Sequence, residues 1–146
     1  MSPTMSGTTT NSLYRSVGTL HYTIDHTLDP HPHKLIVKVD QELSDYYRAL
    51  IPKYYKVRRQ LYPAHVSTVR KENVPNLAAW GKHEGRALSF EYDGYIHNDE
   101  RYWWLNTFSI ELEQIRTELG LPISSKYTLP PSGFTKCFHM TIGNTK

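Results

Sequence analysis

The sequence predicts an α+β domain built on antiparallel strands, and three observations support this class. Residues 35–39 are rich in β-branched side chains, as strands are. Residues 134–142 alternate between apolar and polar side chains, which is the pattern of a strand with one buried face. Residues 108–119 carry an apolar side chain at every third or fourth position, which is typical of a helix that lies against a core.

Length and composition predict one domain. The chain has 146 residues, of which 38% are hydrophobic and 21% are charged, enough to bury a core. Residues 1–19 show no periodicity and are expected to form a flexible N-terminal segment, with a single domain over residues 20–146. No apolar run approaches the ~20 residues of a membrane helix. The single cysteine, Cys137, excludes an internal disulfide and predicts a reducing compartment such as the cytoplasm.

The first half of the domain is predicted to contain three strands and one helix. The carboxylate of Asp40 can cap the first turn of the helix, and Pro52 ends it. Pro63 predicts a bend or an edge position in the third strand. The three predicted strands cover residues 20–24, 35–39 and 57–69.

The second half is predicted to contain a hairpin, a helix and a last strand. The hairpin turns at the polar residues 97–99, and Gly120 and Pro122 end the helix. The predicted elements are strands at residues 87–96 and 101–105, a helix at residues 108–119 and a strand at residues 134–142.

Basic and aromatic residues concentrate in one segment. The formal net charge is only +3, but residues 46–71 contain seven basic residues, five tyrosines and no acidic residue. Cations interleaved with aromatic rings can neutralise phosphate and stack on bases. The alternative is a solvated surface whose tyrosines cover the edge of the core.

Two predicted strands each carry a histidine followed two residues later by a hydroxyl. These motifs are His65-Val66-Ser67 and His139-Met140-Thr141, and His21-Tyr22-Thr23 also matches the pattern. Residues i and i+2 of a strand point to the same side, so each segment presents an imidazole and a hydroxyl together. The alternating apolar residues around His139 would anchor that strand in the core, which leaves His139 and Thr141 facing a polar cleft or solvent.

Paired histidines suit the cleavage of phosphodiesters. One neutral imidazole can take a proton from an attacking water or ribose hydroxyl, while the other, protonated, gives one to the leaving oxygen. The hydroxyls of Ser67 and Thr141 would hold the non-bridging phosphate oxygens, and nearby cations would balance charge. The candidate cations are Arg70, Lys71 and Lys136. Two alternatives stay open: half-buried strand histidines that merely bond to neighbouring hydroxyls, and His21 as the first catalytic histidine in place of His65.

Three aromatic residues are candidates for binding a nucleobase. Tyr55 and Tyr62 lie among the cations of residues 46–71. Trp103 and Trp104 are adjacent on a predicted strand and therefore point to opposite faces, so at most one of them can line a site. Trp103 is the candidate, with core packing as its alternative.

A histidine-rich loop suggests a further alternative, a metal site. Its spacing matches no standard zinc pattern, and two prolines hold the segment extended, so an exposed polar loop is the main expectation. Cys137 is expected to be a small filler residue. The loop contains Asp29 and the histidines His21, His26, His31 and His33.

Over about residues 35–142, the two His-x-hydroxyl motifs resemble those of the two-histidine phosphoesterase superfamily. That group includes the RNA ligase-like cyclic phosphodiesterases and phage enzymes that destroy cyclic oligonucleotide alarm signals. The resemblance implies two lobes of antiparallel sheet with flanking helices and a central cleft. It also implies catalysis without a metal or other cofactor, with His65 and His139 as the acid/base pair and Ser67 and Thr141 as phosphate binders.

The expected function is therefore hydrolysis of a cyclic nucleotide or cyclic oligonucleotide, which for a viral protein would take place in the host cytoplasm. The substrate-binding candidates are Arg70, Lys136, Tyr55, Tyr62 and Trp103. Processing of RNA 2′,3′-cyclic phosphate ends is the nearest alternative. A module that binds a nucleotide or single-stranded RNA without turnover is an alternative from another class, and a metal-dependent hydrolase that uses the histidine loop is the third.

Overall fold

The computed structural model describes residues 13–125 and 128–146. Short 3-10 turns connect several of its elements at residues 26–28, 53–55 and 77–79. The strands are β1 (Tyr14–Ile24), β2 (His33–Lys38), β3 (His65–Val69), β4 (Ala87–Tyr92), β5 (His97–Asn98), β6 (Tyr102–Phe108) and β7 (Phe138–Asn144), and the helices are α1 (Gln41–Ala49) and α2 (Ile110–Glu118).

These seven strands form one antiparallel sheet. Their order is β4-β1-β2-β3-β7-β6-β5, and β4 also pairs with the end of β6, so the sheet closes on itself. The α+β class and the antiparallel pairing are confirmed. The separate sheets that the resemblance implied are instead one continuous sheet, because β3 of the first half pairs directly with β7 of the second half.

One face of the sheet packs against both helices and forms the core. From β7, Phe138, Met140 and Ile142 are at most 2% exposed, and Leu112 and Ile115 of α2 belong to the same cluster. Burying these apolar side chains is the main contribution to stability. Because successive strand residues alternate between faces, the core residues of β7 leave its intervening residues on the opposite face of the sheet.

Both predicted helices form. The carboxylate of Asp40 accepts a hydrogen bond of 2.9 Å from the backbone N–H of Glu42 and caps α1. The hydroxyl of Ser109 caps α2 in the same way, at 3.3 Å from the backbone nitrogen of Leu112. Phe108, predicted as the first helical residue, is the last residue of β6. In the described residues, no helix combines the length and the apolar character that a membrane crossing requires.

The prediction of a flexible segment over residues 1–19 is wrong for residues 14–19. These residues form the first half of β1 and pair with β4, from Tyr14 opposite Tyr92 to Thr19 opposite Ala87. Polar residues can occupy this strand because the backbone pairing, rather than an apolar pattern, holds it. The rest of the segment, residues 1–12, lies outside the described residues.

The predicted strand at residues 57–69 is divided into two pieces. Only its end forms β3, whereas Arg58 makes an isolated bridge to Asn144 through two backbone hydrogen bonds of 2.8 and 3.1 Å. Pro63 has no N–H to donate, and the chain leaves the sheet between the two pieces. The approach at the bridge needs Gly143, because a Cβ atom there would lie 2.6 Å from a methyl carbon of Val57.

The other strand predictions are wrong at their ends. β4 stops at Tyr92 rather than at residue 96, and residues 97–98, predicted to be in the hairpin turn, are strand β5. β7 begins at residue 138 rather than at 134, because the carboxylate of Glu113 accepts the backbone N–H groups of Thr135 and Lys136. Those two residues are thereby bound to α2 rather than to the sheet.

Candidate functional site

The His-x-hydroxyl motifs of β3 and β7 meet on neighbouring strands. The two strands pair antiparallel, with Ser67 opposite His139 and Val66 opposite Met140. Continuing this register by one residue beyond Val66 puts His65 opposite Thr141. Met140, between the two β7 residues, is buried in the core. The four polar side chains therefore share the other face, where the Cβ atoms of opposite residues are about 5 Å apart. We call these four residues the histidine patch.

His65 is held in one tautomer by the backbone. Its buried ring places Nδ1 2.8 Å from the carbonyl oxygen of Pro63. Since a carbonyl only accepts, Nδ1 donates its proton there and a neutral ring keeps its lone pair on Nε2. Burial, followed by the backbone hydrogen bond acting in the opposite direction and by the charges of Lys34 and Arg70, gives His65 a pKa below its ordinary value of 6.5. At neutral pH the ring can therefore accept a proton at Nε2.

The ring of His139 packs on the side chain of Trp104. Its ring stacks on the indole of Trp104 with centroids 5.2 Å apart and planes 29° apart, while the rest of the side chain reaches solvent. Desolvation lowers the pKa of His139, and the charges of His97 and Lys136 lower it further. The negative face of an indole favours a cation placed over it, so the stacked ring can carry a proton as imidazolium.

Trp104 is in turn fixed from its other side. His97 of β5 stacks on it with centroids 6.2 Å apart, and the indole Nε1–H donates a hydrogen bond of 3.1 Å to the side-chain oxygen of Asn106. The Nε2 atom of His97 lies 3.1 Å from the Asn106 amide nitrogen and 3.0 Å from a carboxylate oxygen of Asp93. This network holds the ring against which His139 rests. The sequence does not indicate this network, because Trp103 and Trp104 are adjacent large aromatic residues and either could face the core.

The assignment of Trp103 to the substrate site is wrong. Trp103 is 4% exposed and belongs to the core cluster, because β6 turns it to the face opposite Trp104. Tyr55 packs near Trp103, with centroids 6.1 Å apart, so it lies away from the histidine patch. Tyr62 is exposed, and the ammonium of Lys34 lies 5.0 Å from its ring centroid.

Four cations surround the histidine patch. Arg70 and Lys136, both predicted, line a cleft next to it, and Lys71 is not among the residues that line this cleft. Lys38 is opposite His65 in the β2–β3 register, and Lys34 is near enough to lower the pKa of His65. Sequence analysis missed both residues of β2, because nothing local indicates which strand lies beside β3. The resulting positive field suits a phosphate group.

The cleft beside the patch has a volume of about 260 Å³. It opens where β3 and β7 separate beyond the Ser67–His139 pair, and it is lined by residues of both strands, by Glu72 and by Arg116 of α2. Cys137 is also part of its lining. Burial raises the pKa of the Cys137 thiol to about 12, so the thiol stays protonated at neutral pH, as expected for a filler residue.

His21 and the histidine-rich loop lie apart from the patch. His21 pairs with Ile36 on β2, which places it two strands away from β3, and its Nδ1 is 2.9 Å from a carboxylate oxygen of Glu84. The adjacent histidines are therefore those of β3 and β7. Throughout residues 13–125 and 128–146, no three His, Cys, Asp or Glu side chains converge as a metal-ligand set, so the loop histidines do not form one.

Searches of protein-family models, of curated proteins and of solved structures found no match. The chemical case therefore depends on the side chains themselves. The site consists of a buried imidazole whose Nε2 keeps its lone pair, a second imidazole stacked on an indole, two hydroxyls and a cleft lined by cations.

Proposed function

We propose that the protein is a metal-independent phosphodiesterase that hydrolyses a cyclic nucleotide or cyclic oligonucleotide with two histidines. One observation carries the proposal: antiparallel pairing of β3 and β7 places His139 opposite Ser67 and so joins the two His-x-hydroxyl motifs into one patch.

In this proposal His65 is the general base. Its Nε2 lone pair takes a proton from water as the water oxygen bonds to phosphorus. The hydrogen bond from Nδ1–H to the Pro63 carbonyl fixes the orientation of the ring and stabilises the imidazolium that forms. Because the ring is buried, little solvent competes for the lone pair.

His139 is then the general acid. Its imidazolium gives a proton to the leaving oxygen as the phosphorus–oxygen bond breaks, so the proton taken by His65 is balanced by the one that His139 releases. The Trp104 indole holds the ring in place. The hydroxyls of Ser67 and Thr141 donate hydrogen bonds to the non-bridging oxygens, where charge builds up in the transition state.

Hydrolysis of a set of cyclic nucleotides by the purified protein tests the proposed function. The purified protein is incubated in EDTA with cyclic dinucleotides, cyclic trinucleotides and 2′,3′-cyclic nucleotides, and products are followed by chromatography. We expect hydrolysis of at least one cyclic nucleotide or oligonucleotide. Cleavage confined to RNA 2′,3′-cyclic phosphate ends would support the RNA-end alternative. Binding without products would contradict the enzyme and support a binding module, and loss of activity in EDTA alone would indicate a metal-dependent hydrolase.

The pH dependence of kcat/KM follows from the two lowered pKa values. Catalysis needs His65 neutral and His139 protonated, so the rate rises with pH as His65 loses its proton and falls as His139 loses its own. Both pKa values lie below 6.5, so we expect a bell-shaped profile with its maximum on the acid side of pH 6.5. Initial rates across pH, with circular dichroism to verify folding at each point, measure it. A profile flat from about pH 5 to about pH 9 would contradict paired acid/base catalysis.

A further inference from the structure

The cleft beside the histidine patch contains two cations that no carboxylate of the described residues contacts directly. Arg70 and Lys136 line it, and neither takes part in an ion pair within residues 13–125 and 128–146. The pKa of Lys136 is lowered, mainly because the ammonium is partly desolvated. The nearby carboxylates of Glu72 and Glu113 act in the opposite direction without contacting the ammonium. A partly desolvated cation without a direct ion pair is stabilised when an anion binds to it.

Glu72 and Arg116, the other charged residues of the cleft, neutralise each other. Two nitrogens of Arg116 lie 2.7 and 2.8 Å from the two carboxylate oxygens of Glu72. The same guanidinium donates to the backbone carbonyls of Thr68 and Pro122 at 2.9 Å. Because the carboxylate of Glu72 is occupied in this way, the charge available to a ligand is that of Arg70 and Lys136.

The position of Lys136 in the cleft is fixed by the surrounding structure. The carboxylate of Glu113, a residue only 6% exposed, binds the backbone N–H of Lys136 at 3.1 Å and fixes where that side chain starts.

The cleft lies to one side of the proposed reaction centre. Ser67 and His139 belong to both, but His65 and Thr141 do not line the cleft. Arg70 is five residues from His65, and Lys136 is five residues from Thr141 in the opposite strand direction, so both cations are at the same end. At about 3.3 Å per residue, β3 covers about 13 Å from His65 to Val69, so Arg70 starts farther from the His65–Thr141 pair than the width of one phosphate group.

We infer that this cleft binds a second phosphate group of the substrate, beside the phosphodiester that the histidines cleave. The inference rests on the proposed function and narrows its substrate class. It favours nucleotides with at least two phosphates, such as cyclic oligonucleotides, over 2′,3′-cyclic mononucleotides. Arg70 and Lys136 would each donate charge-assisted hydrogen bonds to the second phosphate, and Ser67 would lie between the two phosphates.

Calorimetric titration with adenosine 3′,5′-bisphosphate and adenosine 5′-monophosphate tests the inference without requiring turnover. At equal ionic strength, we expect the bisphosphate to bind wild-type protein at least about tenfold more tightly, the value of one good charge-assisted contact. Arg70→Gln and Lys136→Gln should each remove most of that difference. Arg101→Gln, which removes an exposed positive charge at the β5–β6 turn, should retain it.

The outcomes separate this inference from the proposed function. Equal affinity of the wild type for both nucleotides, or a preference that survives in Arg70→Gln and Lys136→Gln, overturns the second-phosphate site even if the enzyme hydrolyses its substrate. A preference lost equally in Arg101→Gln shows general charge attraction and also overturns it. If the preference depends on the cleft but no substrate is cleaved, the phosphate site stands and the phosphodiesterase proposal fails.

Discussion

Replacing His65 or His139 with alanine lowers kcat/KM for the hydrolysed substrate by a factor of about 10² to 10⁴, the usual contribution of a general acid or base. The reason differs between the two residues. Without His65, no lone pair lies beside the attacking water on β3. Without His139, the leaving oxygen departs without a proton. The double variant should lose little more than the worse single variant, because the two rings act as a unit.

Folding of the variants has to be separated from catalysis, since His65 is buried. His65→Asn serves this purpose: its amide nitrogen can donate to the Pro63 carbonyl in place of Nδ1, but it has no counterpart of Nε2. We expect His65→Asn to keep the circular dichroism spectrum and melting temperature of the wild type while losing activity. Full activity in this folded variant would remove His65 from the mechanism.

His21→Ala is the matched control for these substitutions. His21 carries the third His-x-hydroxyl motif but lies two strands from β3. We expect kcat/KM of His21→Ala to stay within about twofold of the wild type, as for a residue outside the reaction centre. A large loss in His21→Ala, together with activity retained in His65→Ala, would show that the first catalytic histidine is His21.

The sequence predicts the local parts of this molecule well. Alternation around His139 indicates which face of β7 is buried, because that pattern depends only on the period of a strand. Asp40 caps the helix that it is predicted to cap, and the apolar spacing of α2 is helical for the same local reason. The orientation of the His-x-hydroxyl motif on β7 could therefore be inferred before its neighbours were known.

The non-local parts could not be inferred in the same way. The pairing of Ser67 with His139 joins residues far apart in the chain, and no local preference encodes that register. The choice between Trp103 and Trp104 depends on which face of β6 meets the helices. Because the two are adjacent large aromatic residues, the sequence does not indicate which of them faces the core. β1 begins at Tyr14 because β4 supplies its hydrogen bonds, which the polar sequence there does not reveal.

A second large effect is expected on stability, from the Glu72–Arg116 ion pair that lines the cleft. Arg116 is 2% exposed and depends on Glu72 for its only ion pair among the described residues. Glu72→Gln leaves that guanidinium buried without a counter-charge, so we expect the free energy of unfolding to fall by about 3 kcal/mol. Urea denaturation measures this change, which corresponds to a decrease of roughly 6–12 °C in melting temperature for a domain of this size.

Arg116→Met combined with Glu72→Gln shows whether the unpaired charge is the cause. Methionine fills much of the space of the arginine stem, and without the guanidinium no charge is stranded. The double variant should therefore lose less stability than the two single variants together. Arg15→Gln, which breaks the exposed pair with Glu91, should cost less than about 1 kcal/mol. If Glu72→Gln lowers the free energy of unfolding no more than Arg15→Gln does, solvent rather than Glu72 compensates the charge of Arg116. The ion pair then does not stabilise this part of the cleft.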